Sequence, residues 1–428
     1  MTDPRQPPVF APPAAEPLDA YASDPVCLGL MRGAPPPVER QVRFDDGGLY
    51  TFPKLRWAYS NMRRLFPTTQ VWRGDGWASV LPRADRSDID AVSFVPIGGA
   101  LPVTWAESLA SNFTDGIVVL HQGRIVFERY YGALAPHRPH IAWSVTKSFF
   151  GTIAASLVSE GLLDADAPVT AYLPELAASG FATATVRHVL DMTTAIRYSE
   201  DYTDPQAEVF EHGRAGGITT RAVPHVGAAS FYEFLVTLQA LPGGSHGRAF
   251  AYKTVNTDVL GWIIRRVTGQ PLGEVLQDRI WSQLGCEQDG YLMTDTTGTE
   301  FAGGGFNAAL RDLARFGEMM RNDGFYNDAQ IVPKAVIDDI RSGGDPAHFA
   351  QAGYATLPGW SYRNMWWVSH NDHGAYCARG IHGQGVYIDP AAEMVIARFA
   401  SHPMAGNANL DPMTLPAYHA LAQHLLAS

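Results

Sequence analysis

Strand-forming stretches on either side of a long helical middle are what most restrict the architecture of this chain. Gly116-Ile117-Val118-Val119-Leu120 and Arg124-Ile125-Val126-Phe127 flank His121-Gln122-Gly123, a short turn with glycine, and read as a β-hairpin. The next clear strands come only at Tyr362 to Val368, Gly385 to Asp389 and Met394 to Ala400, the last two joined at Asp389-Pro390. The sheet that shelters these strands must therefore be assembled from both sides of the middle. Between them, residues 161–299 read as short helices and loops, clearest over Thr185 to Asp191, Ser230 to Leu241 and Asn256 to Thr268. This order predicts an α+β fold, an antiparallel sheet flanked by helices with an inserted, mostly helical lobe.

Three further helices frame the sheet. Ser144 to Glu160 repeats Phe149, Phe150, Ile153, Ala154, Leu157 and Val158 at helical spacing and stops at Gly161, a residue suited to the left-handed turn after a helix. Residues 306–322 place Leu310, Leu313, Phe316 and Met319 on one face, and 414–427 close the chain as an amphipathic helix. Residues 1–40, with Pro7-Pro8, Pro12-Pro13 and Pro35-Pro36-Pro37, are expected to form an extended surface arm. Residues 41–428 are expected to form one domain, its α/β part at about 41–160 and 300–428 and its lobe at about 161–299. Trp57, Tyr59, Phe66, Trp72 and Trp77 make residues 41–100 too aromatic for a linker and are expected to pack on the main body.

Composition narrows the function. Hydrophobic residues are 46% and charged residues 18% of 428, and net charge is −11. That is enough apolar material for a large core, and less charge than the roughly 25% of an average soluble domain. No basic block suggests nucleic acid as a partner. No run approaches the ~20 apolar residues of a membrane span, and the first residues, Met1 to Pro8, contain no apolar run, so a cytoplasmic protein is expected. Cys27, Cys286 and Cys377 show no CxxC spacing. His137 with His140 and His370 with His373 have H-x-x-H spacing but lie in no HExxH helix, so no metal or other cofactor is expected.

The residues that could carry chemistry begin with Ser144-Val145-Thr146-Lys147 at the start of the long helix. Residues i and i+3 share a helix face. A serine needs a base beside it to become a nucleophile, and a lysine serves if burial lowers its pKa. The helix start also points N–H groups at a developing oxyanion. A capping serine followed by a surface lysine would give the same four letters, but Ser148-Phe149-Phe150-Gly151 surrounds Lys147 with small and apolar residues. Tyr252, beside Lys253 and just before a helix, could pass a proton to a leaving group, although alone it would also fit a core tyrosine. Gly380-Ile381-His382-Gly383-Gln384-Gly385 could let a strand edge approach a ligand and donate an N–H to an oxyanion hole. Gly243-Gly244-Ser245-His246-Gly247 matches G-x-S-x-G, but a helical pattern precedes it where that motif needs a strand, so it reads as a loop.

Ser144-x-x-Lys147, a tyrosine about a hundred residues later, and then a glycine-rich strand resemble the serine β-lactamase and penicillin-recognising superfamily. More narrowly, from about residue 55 onward the chain is similar to the 6-aminohexanoate-dimer (nylon-oligomer) hydrolases of that fold. The stretches that carry this include Val189-Leu190-Asp191-Met192, Glu200-Asp201-Tyr202-Thr203-Asp204-Pro205, Asn256-Thr257-Asp258-Val259-Leu260, Arg311-Asp312-Leu313-Ala314-Arg315, Trp366-Trp367 and Gly380-Ile381-His382-Gly383-Gln384.

The resemblance implies Ser144 as nucleophile, Lys147 as base, and Tyr252 both helping to deprotonate Ser144 and protonating the leaving amine. It implies an oxyanion hole from the N–H groups of Ser144 and Ile381, and a hydrogen bond from Tyr202 to the substrate amide or departing amine. Trp366, Trp367, His212 and Gly380 are expected near the substrate. The Lys-Thr-Gly triplet of β-lactamases is absent, its place taken by Ala378-Arg379-Gly380. The loops Glu211-His212-Gly213-Arg214, Gly303-Gly304-Gly305 and Met404-Ala405-Gly406 suggest a roomy site with little charge. The expected activity is cleavage of a small linear amide or ester through an acyl-enzyme. The alternatives are a carboxylesterase without amide-dimer activity, a D-peptidase or β-lactamase, and a non-catalytic penicillin-binding-like module. The partner expected is a small amide or ester substrate, not nucleic acid or membrane, and a homodimer is an assembly compatible with the reading.

Overall fold

The computed structural model describes residues 17–221 and 225–427. Its main sheet has seven strands: β1 Thr114–His121, β2 Arg124–Tyr130, β3 Ser361–Arg363, β4 Trp366–Val368, β5 Tyr376–Gly380, β6 Gln384–Asp389 and β7 Met394–Ala400. Their order across the sheet is β3-β4-β5-β6-β7-β1-β2, every neighbouring pair antiparallel. The join between the two halves is β7 with β1, from Met394 opposite His121 to Ala400 opposite Thr114. The expected sheet built from both sides of the helical middle is therefore present. Gln122 and Gly123 both have positive φ (51° and 73°), as the tight turn of the β1–β2 hairpin requires.

Four helices matter for the site: α1 Val145–Ser159, α2 Thr254–Thr268, α3 Leu310–Arg321 and α4 Asp411–Leu426. Helix α1 is buried from Val145 to Leu157, apolar or small on every side, because the sheet and the helical lobe close over it. Helix α3 carries the expected stripe of Leu310, Leu313, Phe316 and Met319 against β1, β6 and β7. Helix α4 packs beside Trp105–Ser111 near the β1–β2 end.

Several expectations need correction. Tyr362 to Val368 is not one strand, because Asn364 and Met365, at φ 48° and 65°, turn the chain into the β3–β4 hairpin. Residues 306–308 are not helical. They form a strand in a second sheet with Thr68–Val71, Gly290–Met293 and His140–Ile141. Strands this short show too little alternation to be read from a sequence. The helix expected over Ser230 to Leu241 ends at Thr237.

Trp57, Tyr59 and Phe66 are buried as expected, but Trp72 is 40% and Trp77 95% exposed. Residues 1–16 of the expected arm lie outside the described residues. From residue 17 on, the arm is turned rather than extended: Asp19 and Asp24 accept backbone N–H groups two and three residues ahead. Arg56 Nη1 ties it down by donating to Ala20 O at 2.6 Å and Ser23 Oγ at 2.8 Å. No helix among the described residues is long and apolar enough to cross a membrane.

Candidate active site

The turn into α1 sets the site. Trp143 has φ of 45°, a left-handed conformation that a bulky residue adopts only when its surroundings impose it. It swings the chain from His140–Ile141 into the helix within two residues. Ser144 follows with helical angles and makes no side-chain cap bond, so its hydroxyl is left for other partners. Gly151 allows α1 to press on the β3–β4 turn, since a Cβ there would lie 2.2 Å from the carbonyl oxygen of Asn364.

Lys147 is 1% exposed, which removes the surface-lysine reading of the motif. Its Nζ lies 2.9 Å from Ser144 Oγ and 2.5 Å from the carbonyl oxygen of Gly303. Burial pushes the ammonium down to about 8, against the charges of Glu200 and Asp258, which favour it. The lysine is thus an ammonium with an accessible free-amine fraction near neutral pH. Tyr252 sits just before α2, with Lys147 Nζ 5.2 Å from its ring centre and its phenol within electrostatic reach of Ser144. Burial first, then the charge of Glu200, holds this phenol well above its ordinary value. It therefore stays protonated and is suited to donate a proton rather than to act as a phenolate base.

Glu200 organises the side facing Tyr252. It accepts from Thr254 N at 2.7 Å, Thr254 Oγ1 at 2.8 Å and the Tyr202 hydroxyl at 2.8 Å. With its hydrogen spent on Glu200, the Tyr202 oxygen is set to accept a bond from a substrate N–H. Asp258, on α2, accepts from Gly303 N at 3.0 Å, and its other oxygen lies 3.0 Å from His212 Nε2. This pair fixes the loop whose carbonyl holds Lys147.

The end of β5 completes the arrangement. A Cβ on Gly380 would lie 2.7 Å from Ala142 O and 3.1 Å from Ser144 N, so only glycine lets the strand come this close. The approach puts Ile381, the next residue, on the wall of the same two cavities as Ser144. Among the described residues, no turn, cap or loop carbonyl accepts from either N–H. Backbone N–H groups without a carbonyl partner beside a serine are the donors an oxyanion hole requires.

Ser144, Tyr202 and Ile381 stand where two cavities meet. The inner chamber, about 530 Å³ with its mouth, is walled by Tyr50, Trp143, Phe210, Ile218 and Phe301, and among the described residues no carboxylate lines it. The outer cleft, about 950 Å³, holds Glu200, Tyr252, Tyr354, Trp367, Arg379 and Asp411. Tyr50 reaches the inner chamber from the segment before residue 55, donating to Ile218 O at 2.5 Å.

The structure brings together Ser144, Lys147, Tyr252, Ile381, Gly380, Tyr202, His212 and Trp367. Trp367 stacks on Tyr252 with ring centres 5.4 Å apart. Trp366 does not belong with them. It points to the opposite face of β4, fully buried, and donates to Thr152 Oγ1 of α1 at 3.0 Å. Neighbouring residues of a strand face opposite ways, so only one of the pair could line the site.

Ser245 lies exposed in a loop. His140 and His373 pair with Asp115 at 3.4 Å and Asp389 at 2.8 Å, and His370 with Ser361 Oγ at 2.6 Å. Glu200, Asp258 and Gly303 are functional positions that the sequence reading did not assign. Glu200 stands two residues before Tyr202, and that proximity was the available signal.

With this geometry in view, comparison with known proteins is informative. The Beta-lactamase family pattern matches residues 108–412. The 6-aminohexanoate-dimer hydrolase of Paenarthrobacter ureafaciens is 36% identical over 352 residues, 82% of this chain and 86% of the relative. A solved structure from Bacillus anthracis, assigned by its authors as a 6-aminohexanoate-dimer hydrolase, is 31% identical with a TM-score of 0.83, covering 92% of this chain and 99% of its own. Esterase EstB of Burkholderia gladioli is 29% identical over 192 residues, 42% of this chain and 47% of that protein. By the extent of the family match and the identity to these relatives, the chain belongs to the Beta-lactamase family and is a serine hydrolase of that fold.

Proposed function

We propose that this hydrolase cleaves small linear amides or esters, with Ser144 as nucleophile, and that the acyl part of the substrate lies in the inner chamber. The observation that carries the reading is the 2.9 Å contact of the buried Lys147 Nζ with Ser144 Oγ at the junction of two cavities.

Lys147, as the free amine, takes the Ser144 proton while Oγ bonds to the substrate carbonyl carbon. The carbonyl oxygen gains charge between the N–H groups of Ser144 and Ile381. Tyr252 then gives its proton to the departing nitrogen and is reprotonated from Lys147 as the C–N bond breaks. Tyr252 lines only the outer cleft, so the leaving group departs on that side and the acyl group remains in the inner chamber. A water entering from the cleft gives its proton to Lys147 as it attacks the ester carbonyl carbon, and Lys147 passes that proton to Ser144 Oγ as the acyl C–O bond breaks and the acid leaves.

A second reading is favoured by one feature. Among the described residues, the inner chamber offers no carboxylate to hold an ammonium at the far end of an acyl chain. An esterase or amidase acting on uncharged acyl groups fits that lining better than one specific for an aminoacyl chain.

The test is turnover of p-nitrophenyl butyrate, the linear 6-aminohexanoate dimer and nitrocefin by the wild type and Ser144→Ala. Loss of all turnover in the variant supports the nucleophile. Cleavage of the dimer supports the amide reading, and cleavage of the ester alone supports the second. Retained activity in Ser144→Ala overturns the assignment.

A further inference from the structure

Behind the outer cleft lies a smaller cavity, about 400 Å³ with its mouth, closed by β6, β7 and the first turn of α4. Arg379, Asn407 and Asp411 line both spaces. The inner wall carries Arg398 of β7, opposite Gly385 of β6, a residue only 2% exposed.

Arg398 has few partners. Nη1 donates to Thr414 Oγ1 at 3.2 Å, and the Tyr418 hydroxyl lies beside the guanidinium. Nε and Nη2 are buried and have no well-directed acceptor among the described residues. The carboxylate in the cavity wall, Asp411, is engaged elsewhere. One of its oxygens pairs with Arg379 and the other accepts from Thr356 Oγ1 at 2.8 Å. Arg398 is thus left without a carboxylate partner among the described residues.

Arginine cannot shed its proton to escape burial, and an uncompensated buried charge is costly. The amino end of the 16-residue helix α4 adds further positive potential at the same place. From the charge count and the two undirected donors, we infer that this cavity binds a small monovalent anion of chloride or carboxylate type between Arg398 and the start of α4. Such an anion balances Arg398 and stands behind the Arg379–Asp411 pair that forms the shared wall with the cleft.

The experiment is independent of catalysis. Crystals are soaked in sodium bromide, and thermal unfolding is followed in sodium chloride, sodium formate and sodium gluconate at matched ionic strength, for the wild type and Arg398→Met. The expected result is an anomalous bromide peak within hydrogen-bonding reach of Arg398. Chloride should raise the wild-type midpoint over gluconate by about 1–3 °C, and Arg398→Met should lack that difference. A rise with formate alone would assign the site to carboxylates. A cavity holding only water in bromide-soaked crystals, or the same anion response in Arg398→Met, overturns the inference. If Arg398→Met does not fold, the bromide map of the wild type decides.

Discussion

Lys147 and Glu200 are electrostatically opposed to the burial that makes the lysine useful. Removal from water drives the Lys147 ammonium toward the free amine, and the carboxylate of Glu200 is the largest influence holding its proton on. The balance at about 8 leaves a base with a usable neutral fraction at physiological pH.

The first prediction concerns the pH profile. As the base must be neutral, kcat/KM should rise with pH through an apparent pKa near 8. Glu200→Gln removes the charge but retains an oxygen for Thr254 and should move that limb to lower pH. A limb unchanged in Glu200→Gln would show that another group governs it.

The second concerns stability. The folded-state value of about 8 lies below the 10.5 of a free lysine, so the folded state holds this proton less tightly than the unfolded chain. The resulting penalty is full below pH 8 and fades as pH rises from 8 to 10.5. It amounts to roughly 3 kcal/mol from a shift of this size. Lys147→Met should therefore be inactive yet at least as stable as the wild type at pH 7. Only the wild type should gain the Lys147 contribution to stability between pH 8 and 10.5. Lys253, also pushed down to about 8 by burial, is common to both proteins and cancels in the difference. Denaturant titrations across pH check this, and a clearly lower stability of Lys147→Met at pH 7 would contradict it.

Tyr252 separates amide from ester chemistry. Its raised pKa makes it a proton donor, and only an amine needs a proton to leave. Tyr252→Phe should slow amide cleavage by ~10²–10⁴-fold and p-nitrophenyl ester cleavage much less. Equal losses on the two substrates would refute the donor role.

Gly380 supports the oxyanion hole through its missing side chain. Its φ of −131° suits any residue, so an added methyl group acts by contact alone. In Gly380→Ala that methyl would press on Ala142 O and Ser144 N and displace Ile381. We expect kcat to fall by about 10²–10³-fold and the thermal midpoint to drop with it, because backbone must shift to admit the methyl group, measured by ester turnover at a temperature where the variant is folded and by calorimetry. Wild-type turnover would place the oxyanion elsewhere.

The residues legible in the sequence were those whose meaning is local. The i, i+3 spacing of Ser144 and Lys147, the glycine turn between β1 and β2 and the stop at Gly161 are short-range consequences of backbone geometry. They held in the structure to within a residue or two. The second sheet was not legible, because its strands are brief and find their partners far away in the chain.

Trp366 and Trp367 mark the boundary between the two kinds of information. The sequence by itself determined that adjacent residues of a strand face opposite ways, but not which tryptophan would meet Tyr252 and which Thr152. It determined that Ser144 and Lys147 lie on one helix face, but not that Lys147 would be sealed from water with Glu200 and Asp258 within electrostatic reach. Helix periodicity and turn preference act over a few residues and are written into the order of the chain. Burial, pKa and the convergence of Ile381 on Ser144 depend on which distant surfaces come together, and only the tertiary structure decided those.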